Sequence, residues 1–569
     1  MNCSRNILDL RDKGSLSVDD TKWMTENSGW IIDAYGKLVQ NLIEENKLTN
    51  LDLLLNVTCR NPYTSSLLIC IFRLELLKHR LSENIMFDDI LVDCCEMKIL
   101  VKELLIKNKA ATEGIKVSSG HSTIFKVVII NIFKSLYGFL SDIFWSRVYR
   151  VKQVPSDNII FIDNFITPQT TLSDGKFVDR YYSDFESYLG DDDRESIWFS
   201  PTLSNVRTQK EYKQIFSKIK ASKNNLLIQE SWLTVIDYFF ALRKSLEIPR
   251  KVRKVSRVLG HDFTGLITRE AREQLGSFSL VKTINKYRFI RRLSLADIKI
   301  SGAVDWNENQ VIDRALNLGL RAFYPTVHVR GYQCFMVPDY YACLEPMEFE
   351  KTLGTLPHSY HVYGPMAPAA RIRVREFMEV RLAPAFRFSY LYDIQRKRAD
   401  PAVILFAMSI FLDESQRLMD MCASLLVESD EAYEIIVKIH PSVSLDEFKK
   451  TIPATNTPRI KLTDLGFAEL LPAISVLISA SSSVCSEAAL IGIPVAILGS
   501  TSGPTMSPIP AGISEESSAI CYSLRDLQAF LERIKNIDNR EIVLSEIIQP
   551  VSTDGVKQLF LFRRNEDTL

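Results

Sequence analysis

Short runs of aliphatic and β-branched residues, separated by turn-forming polar clusters and by longer amphipathic stretches, recur along the whole chain. The clearest example lies between Ile435 and Leu498. IIVKI stops at His440-Pro441, and a connection through Thr457 and Asp464 leads to ISVLISASSSVCSEAALIGIPVAIL. This pattern predicts a buried strand at Ile474–Ile478, a turn holding Ser479, Ser481, Ser482 and Ser483, and a helix over about Val484–Ile491. A turn at Gly492 and Pro494 and a second strand at Val495–Leu498 follow. Short apolar runs alternating with helices signal βαβ units and a parallel sheet. The pattern repeats elsewhere. Strands are expected at Leu51–Val57, Asp88–Asp93, Asn158–Ile162, Ser196–Ser200, up to Asp305 in Ala303-Val304-Asp305, and at Ala402–Met408. Helices are expected in LLICIFRLELLKHRL, at Glu96–Ile106, through Gln209–Arg250, from Asp413 onward, at Leu524–Ile534 and in the tail from Val551 to Leu569. The predicted class is α/β with parallel sheets.

One stretch breaks the pattern. Ile124–Val148 is apolar and aromatic for its whole length but carries Lys126, Lys134, Asp142 and Arg147. Four charges within such a stretch disfavour a spanning helix. A helix lying on a bilayer or on a partner, and a helix buried in its domain, both remain open.

Composition narrows the function. A chain of 569 residues suggests two or three domains. Lysines plus arginines and aspartates plus glutamates each number 69, so no overall field favours nucleic acid. The ten cysteines form no C-x-x-C pair, which speaks for reduced thiols and against a structural zinc site. The start, MNCSRNILDLRDKGS, has no apolar signal core, and the expected location is cytoplasmic, with peripheral contact at the inner membrane an option. The basic residues from Arg243 to Arg257 suit acidic lipid headgroups or a diphosphate-linked acceptor, with an ordinary solvated helix face as the alternative.

Candidate chemistry concentrates at predicted strand ends, where parallel sheets bind ligands. Free N–H groups at a helix start attract anions, which makes Ser481–Ser483 a phosphate cradle and places Glu487 within reach of ribose hydroxyls. The alternative is that the serines merely cap the helix with Glu487 as capping-box partner. Asp305 and Glu308 stand three apart at a turn into a helix, with Trp306, Asn309 and Gln310 beside them. Two carboxylates facing one cleft would separate in pKa, as acid–base or nucleophilic chemistry needs. The competing reading has Asp305 or Asn307 capping the helix. Arg60 and Asn61 occupy a predicted strand-to-helix turn, and Asp163 a strand end. The run Asp191–Glu195 (DDDRE) reads as a solvated loop, His358 and His361 lack a third ligand, and no metal site is expected.

Lys438-x-His440-Pro441, followed by SSS-x-x-x-EA-x-x-x-G-x-P-V, resembles the C-terminal half of GT-B glycosyltransferases, nearest to those using CMP-activated sugars, the bacterial sialyltransferases and Kdo transferases. The resemblance implies that His440 and Pro441 meet the nucleotide and that Ser482 and Ser483 meet its phosphate. UDP-sugar epimerases and glycerophosphate transferases share much of the motif pair. DWNENQ, Gly331–Pro338 with Tyr332 and Gln333, Leu344–Glu350, LLLNVTCRNP and GKFVDRYY resemble bacterial surface-carbohydrate biosynthesis proteins related to Kdo transferases. The implied architecture is GT-B: two Rossmann-like domains with parallel sheets facing a central cleft. Residues 1–365 would form the acceptor-side domain, with a helical insertion at about 107–155. Residues 366–550 would form the donor domain, and 551–569 a tail returning to the first. His358–Pro365 would mark the crossing. The implied activity is transfer of Kdo or another CMP-linked acidic sugar to a surface polysaccharide or lipid-linked oligosaccharide. Asp305 ranks first as catalytic carboxylate, then Glu308, then Asp163, with the nucleotide sugar as substrate and no cofactor. A UDP-sugar 2-epimerase-like or glycerophosphate-transferring enzyme, or a non-catalytic scaffold, stands as the alternative.

Overall fold

The computed structural model describes residues 6–562 apart from 13, 111–112, 118–123, 180, 256, 337, 339, 396–402, 429–432, 453–458, 511–512 and 536–543. The chain opens with a small parallel sheet of β1 (Ile7–Asp9), β2 (Asp89–Val92) and β3 (Ile115–Val117). The helices Leu67–Ser82 and Cys95–Lys107 belong to this unit. The expected strand at Leu51–Val57 is instead two short 3-10 turns, Asn50–Leu54 and Asn56–Thr58. Asp52 explains the difference. Its carboxylate accepts from the Thr49 amide at 3.2 Å and pairs with Lys251 at 2.7 Å, which starts a turn while the leucines still bury.

The first large sheet contains β4 (Ile159–Ile166), β7 (Ile197–Leu203), β8 (Ile300–Trp306), β9 (Val329–Gln333), β10 (Ser359–Val362) and β11 (Glu379–Leu382). A two-stranded hairpin, β5 (Leu172–Ser173) and β6 (Lys176–Phe177), interrupts the chain between β4 and β7. The order is β11-β10-β9-β8-β4-β7, and each pairing is parallel. The second large sheet contains β12 (Val403–Ala407), β13 (Glu434–Lys438), β14 (Ile460–Thr463), β15 (Val476–Ser479), β16 (Val495–Leu498) and β17 (Ser518–Cys521). Its order is β14-β13-β12-β15-β16-β17, again all parallel. Counted by chain position this is the 3-2-1-4-5-6 order of a doubly wound Rossmann-like fold, with its topological switch between β12 and β15. The first large sheet, counted the same way, runs 2-1-3-4-5-6, and two parallel sheets of this kind make the GT-B architecture that the resemblance implies. Near-continuous apolar strands such as VILFA and VAIL are fully buried, as sheets covered on both faces require.

His358–Pro365 does not cross between domains. Ser359–Val362 is an interior strand, buried throughout and paired to both β9 and β11, so the first sheet continues past residue 365 to Leu382. From the tail, the helix Thr553–Phe560 lies against the first domain. Phe560 stacks on Phe185 with ring centroids 3.9 Å apart, and the Arg330 guanidinium donates to the carbonyls of Gln558, Leu559 and Leu561. Residues 563–569 of the expected tail lie outside the described residues. The DDDRE run is a five-residue helix with no buried side chain.

Ile124–Tyr149 is one continuous helix, long and apolar enough by length and composition to cross a membrane. One side is bound to the domain. Asn131 donates to the Glu273 carbonyl at 2.9 Å, the Ser135 hydroxyl donates to the Gly276 carbonyl at 2.8 Å, and Asp142 accepts from the Tyr238 hydroxyl at 3.3 Å. The other side exposes Phe125, Phe133, Leu140 and Phe144. The buried residues of the helix are Ser135, Gly138, Ser141 and Ser146, and the rest is partly or fully exposed, with the charged residues Lys126, Lys134 and Arg147 outside and Asp142 turned inward.

Candidate functional site

The second sheet presents its strand ends to a cavity of about 1030 Å³ between the domains. Met408 and Ser409 follow β12, His440 follows β13, Ser481 and Ser482 follow β15, and Ser500 follows β16; all line this space. Across it stand Tyr63, Ser65, Ser66, Arg73 and Tyr340 of the first domain. An adjoining cavity of about 270 Å³ is lined by Ser481, Ser482 and Ser483 on one side and by Tyr63, Glu308 and Tyr341 on the other. Arg387 lines it too.

The serine run divides by function. Ser479 is buried, and its hydroxyl ties β15 to β12 through the Ala407 carbonyl at 2.8 Å. The Ser481 hydroxyl donates to the Met506 carbonyl. Ser482 is the N-cap of the helix Ser483–Leu490 in extended geometry, with no side-chain capping bond. The Ser483 hydroxyl accepts from Arg387 Nη2 at 3.4 Å. The capping-box reading therefore fails, because the N-cap hydroxyl makes no cap and Glu487 lies beyond the first turn. Helix-start amides, the uncapped Ser482 hydroxyl and the Arg387 guanidinium are together a set of donors that can receive an anion. Glu487 is nearly buried, burial raises its pKa, and one of its oxygens accepts from the Tyr390 hydroxyl. That bond competes with the ribose contact expected of it.

His440 is half-exposed, with Nδ1 2.7 Å from the Ser442 hydroxyl, and burial lowers its pKa with help from neighbouring Lys438. Pro441 is exposed beside it. Lys438 is buried, its Nζ donates to the Ile439 carbonyl at 3.3 Å, and burial lowers its pKa against the pull of Asp464 and Glu469. It does not line either cavity and acts as support for the His440 turn. The Pro/Gly-rich loop is tied down at Thr505 and Pro508. Thr505 N donates to Thr25 in the first domain at 2.8 Å, and the Ser486 hydroxyl donates to the Pro508 carbonyl at 2.6 Å.

On the first-domain side the two candidate carboxylates separate. Asp305 ends β8 with 0% exposure, and Oδ2 accepts from Asn307 at 2.8 Å and Asn317 at 3.0 Å. Burial, then the nearby Asp163, push its carboxyl up to about 7. The expected partnership with Glu308 is not the cause. Asp305 lines neither cavity, so its place as first catalytic choice is corrected. Glu308 reaches the cavity instead. The Trp306 indole donates to its Oε1 at 3.1 Å, and the Gln310 side chain donates to Oε2. Both bonds fix the carboxylate facing the serine wall.

Most of the other first-domain candidates are absorbed into the interior. Arg60, at a left-handed φ of 57°, grips Glu350 with Nε and Nη2 and the Ala342 carbonyl with Nη1. Arg314 pairs with the same Glu350, and Asn309 donates to it at 3.2 Å. Burial works against the Glu350 charge, but the two guanidinium groups outweigh it and hold the carboxyl below its ordinary value. Asn61 is buried and accepts from the Tyr63 amide at 2.9 Å. Trp306 is enclosed by Tyr181, Tyr182, Tyr332 and Phe335, so it cannot stack on a sugar. Tyr332 donates to the Pro384 carbonyl at 2.6 Å, and Gln333 to the Leu344 carbonyl at 2.9 Å. These positions looked polar and available because their burial depends on segments far away in sequence.

Asp163, Asp305 and Asp313 bring carboxylate oxygens within 4.8 Å of one another, all buried. The local cation is Lys286, 2.6 Å from Asp163 Oδ1, while Asp313 Oδ2 accepts from the amides of Glu308 at 3.0 Å and Gln310 at 2.9 Å. The trio thus braces the turn that presents Glu308. Sequence reasoning missed Arg387, Tyr390 and Arg73. Of these only Arg73 carried a signal, as a charge inside the apolar run LLICIFRLELL.

No family model matches the chain, and no curated protein matches it. Among solved structures, it is similar to the S. aureus MnaA–UDP co-structure, at 11% identity over 71% of this chain and 95% of that one, with a TM-score of 0.39. It is similar to Acinetobacter baumannii MurG at 10% identity, over 71% of this chain and 99% of that one, with a TM-score of 0.38. A third is the lipopolysaccharide outer core galactosyltransferase WaaB, at 10% identity over 71% and 94%, with a TM-score of 0.35.

Proposed function

We propose that this chain is a glycosyltransferase that moves a sugar from a nucleotide donor to a surface polysaccharide or lipid-linked oligosaccharide. The observation that carries the reading is that Glu308, at the carboxyl end of β8, shares one cavity with Ser481–Ser483, at the carboxyl end of β15. A nucleotide would lie against His440 with its phosphate on Ser482, Ser483, the helix start and Arg387. Those groups would stabilise the departing phosphate. Glu308 would be the carboxylate at the reacting end of the sugar. The choice of a CMP-linked acidic sugar rests on the Lys438-x-His440-Pro441 and Ser482-Ser483 motifs.

A lipid-linked acceptor requires a place at a bilayer, and we assign that role to the helix Ile124–Tyr149. Its exposed Phe125, Phe133, Leu140 and Phe144 continue onto Ile236 and Phe239 of the helix Val235–Glu247, with Leu136 and Phe239 meeting at one crevice. Exposed Lys126, Lys134 and Arg147 suit anionic headgroups. The chain is expected to sediment with anionic vesicles, and a Phe133→Asp/Phe239→Asp double variant to remain in the supernatant. Equal sedimentation of both would remove the bilayer from the account.

The test of donor class is a thermal-shift panel of CMP, CDP, UMP, UDP, GDP and ADP, followed by an assay of nucleotide release from the matching nucleotide sugar. Ligand at 100 times its Kd adds about 2.7 kcal/mol of stability. Cytidine nucleotides are expected to raise the melting temperature. A response to UDP alone would replace the CMP donor with a UDP-sugar, and no response at all would remove the donor site.

A further inference from the structure

Among the described residues, Arg73 is the strongly buried cation on the first-domain wall of the large cavity, and two of its three nitrogens have no hydrogen-bond partner. It is 2% exposed, follows the apolar run Leu67–Phe72 of the helix Leu67–Ser82, and lines the same space as His440, Ser481 and Ser482. Nε and Nη2 are buried without a hydrogen-bond partner among the described residues. The nearest opposite charges stand off. Nη1 is 3.6 Å from Asp93 Oδ2 and Nη2 is 3.8 Å from Asp12 Oδ1, and both aspartates are rim residues with side chains 45% and 74% exposed. Buried guanidinium groups elsewhere in this domain behave differently. Arg60 and Arg314 each take close carboxylate and carbonyl partners. A buried, charged, planar donor set without acceptors is costly, and an oxyanion is the partner that its geometry fits. The other basic group on this wall, Arg269, is already engaged by Glu273 at 3.0 Å and Glu96 at 3.4 Å.

We propose that Arg73 is an anion-recognition residue that receives an oxyanion carried by the sugar or the acceptor: a sugar carboxylate, or a phosphate on the acceptor glycan. This rests on the placement of the donor nucleotide along His440 and Ser481–Ser483, because that placement turns the remainder of the ligand toward Arg73. Asp12 and Asp93 balance the guanidinium in the free protein and give it up when the oxyanion arrives. The inference makes the substrate anionic beyond its nucleotide, and it gives a role to the charge that ends the apolar run Leu67–Phe72.

The experiment titrates the full chain, by calorimetry, with three probes separately: N-acetylneuraminate for a sugar carboxylate, inorganic phosphate for a phosphate group, and the nucleotide selected by the panel above. The proteins are the unmodified chain, Arg73→Gln, and the Asp12→Asn/Asp93→Asn double variant, whose changes are at the rim. The unmodified chain is expected to bind one of the two oxyanion probes, and the probe that binds identifies the source. Arg73→Gln is expected to weaken that binding at least tenfold while leaving nucleotide affinity unchanged. The double variant is expected to tighten it severalfold, and this arm decides the matter if Arg73→Gln does not fold. Binding of neither oxyanion to the unmodified chain, retention of affinity in Arg73→Gln, or no tightening in the double variant would each overturn the inference. Loss of nucleotide binding in the unmodified chain with oxyanion binding intact would instead overturn the donor placement and leave the Arg73 site standing.

Discussion

The two walls of the cleft are built from much the same residue types, and they differ in how many of their polar groups are still free. Behind the first-domain wall, Arg60, Asn309, Arg314 and Glu350 close a buried network in which each charge has a partner. On the second-domain wall, the Ser482 hydroxyl makes no cap, the Ser483 hydroxyl meets a long bond from Arg387 and lies beside Glu487, and His440 stands half-open at a strand end. Polar residues near a cleft are therefore of two kinds. Those fully satisfied by the protein hold shape, because buried charges persist only when paired. Those left with free donors or acceptors are available to a ligand. Among the described first-domain residues that line the cavities, Glu308, a carboxylate facing the space, and Arg73, with two donor nitrogens unpartnered, are of the second kind.

The largest effect expected from this contrast is at Glu308. Glu308→Gln keeps the bonds from Trp306 in reach but removes the charge, and is expected to lower nucleotide-sugar turnover by roughly 100- to 10,000-fold, the usual range for a lost acid–base group. Melting temperature and nucleotide affinity should hold. Turnover within tenfold of the unmodified chain would return Glu308 to the scaffold. Next comes Glu350. Glu350→Ala leaves two buried guanidinium groups without their carboxylate and should cost about 3–5 kcal/mol of stability in denaturant unfolding. A loss below about 1 kcal/mol would mean that Arg60 and Arg314 find other partners. A smaller effect is expected from pH. Asp305, raised from an ordinary 3.8 to about 7, keeps in the folded state a proton that the unfolded chain has released. Its contribution is thus most favourable below the ordinary value and declines as pH rises through about 7. Burial raises Asp163 and Asp313 in the same direction. Melting curves between pH 5 and 8 should therefore fall, and Asp305→Asn should flatten that fall. An unchanged slope in Asp305→Asn would contradict the buried-carboxyl account.

Much of the fold was legible because fully buried parallel strands read as continuous apolar runs. β12, β13, β15 and β16 and the helix Leu524–Ile534 appear where the pattern places them. β14 (IKLT) and β17 (SAIC) escaped because these sheet-edge strands are polar and only partly buried. Leu51–Val57 misled because a hydrophobic run states burial and not geometry, and Asp52 within it selects a turn. At the site, His440 and the serines were legible because their positions follow from local strand-to-helix chemistry. The opposite wall was not. Asp305 and Glu308 are three residues apart, and only the packing of distant β4 and β9 beside β8 determines which is buried.

The account turns on the claim that the second-domain wall holds the nucleotide while the buried Asp305 cluster supports the first. It is tested most directly by measuring the Kd of the preferred nucleotide for four proteins: the unmodified chain, His440→Ala, Ser482→Ala and Asp305→Asn. The account predicts roughly tenfold weaker binding in each of the first two variants, about 1.4 kcal/mol for a lost contact to a charged group, and unchanged binding in Asp305→Asn. Full affinity in His440→Ala and Ser482→Ala, with loss in Asp305→Asn, would contradict it.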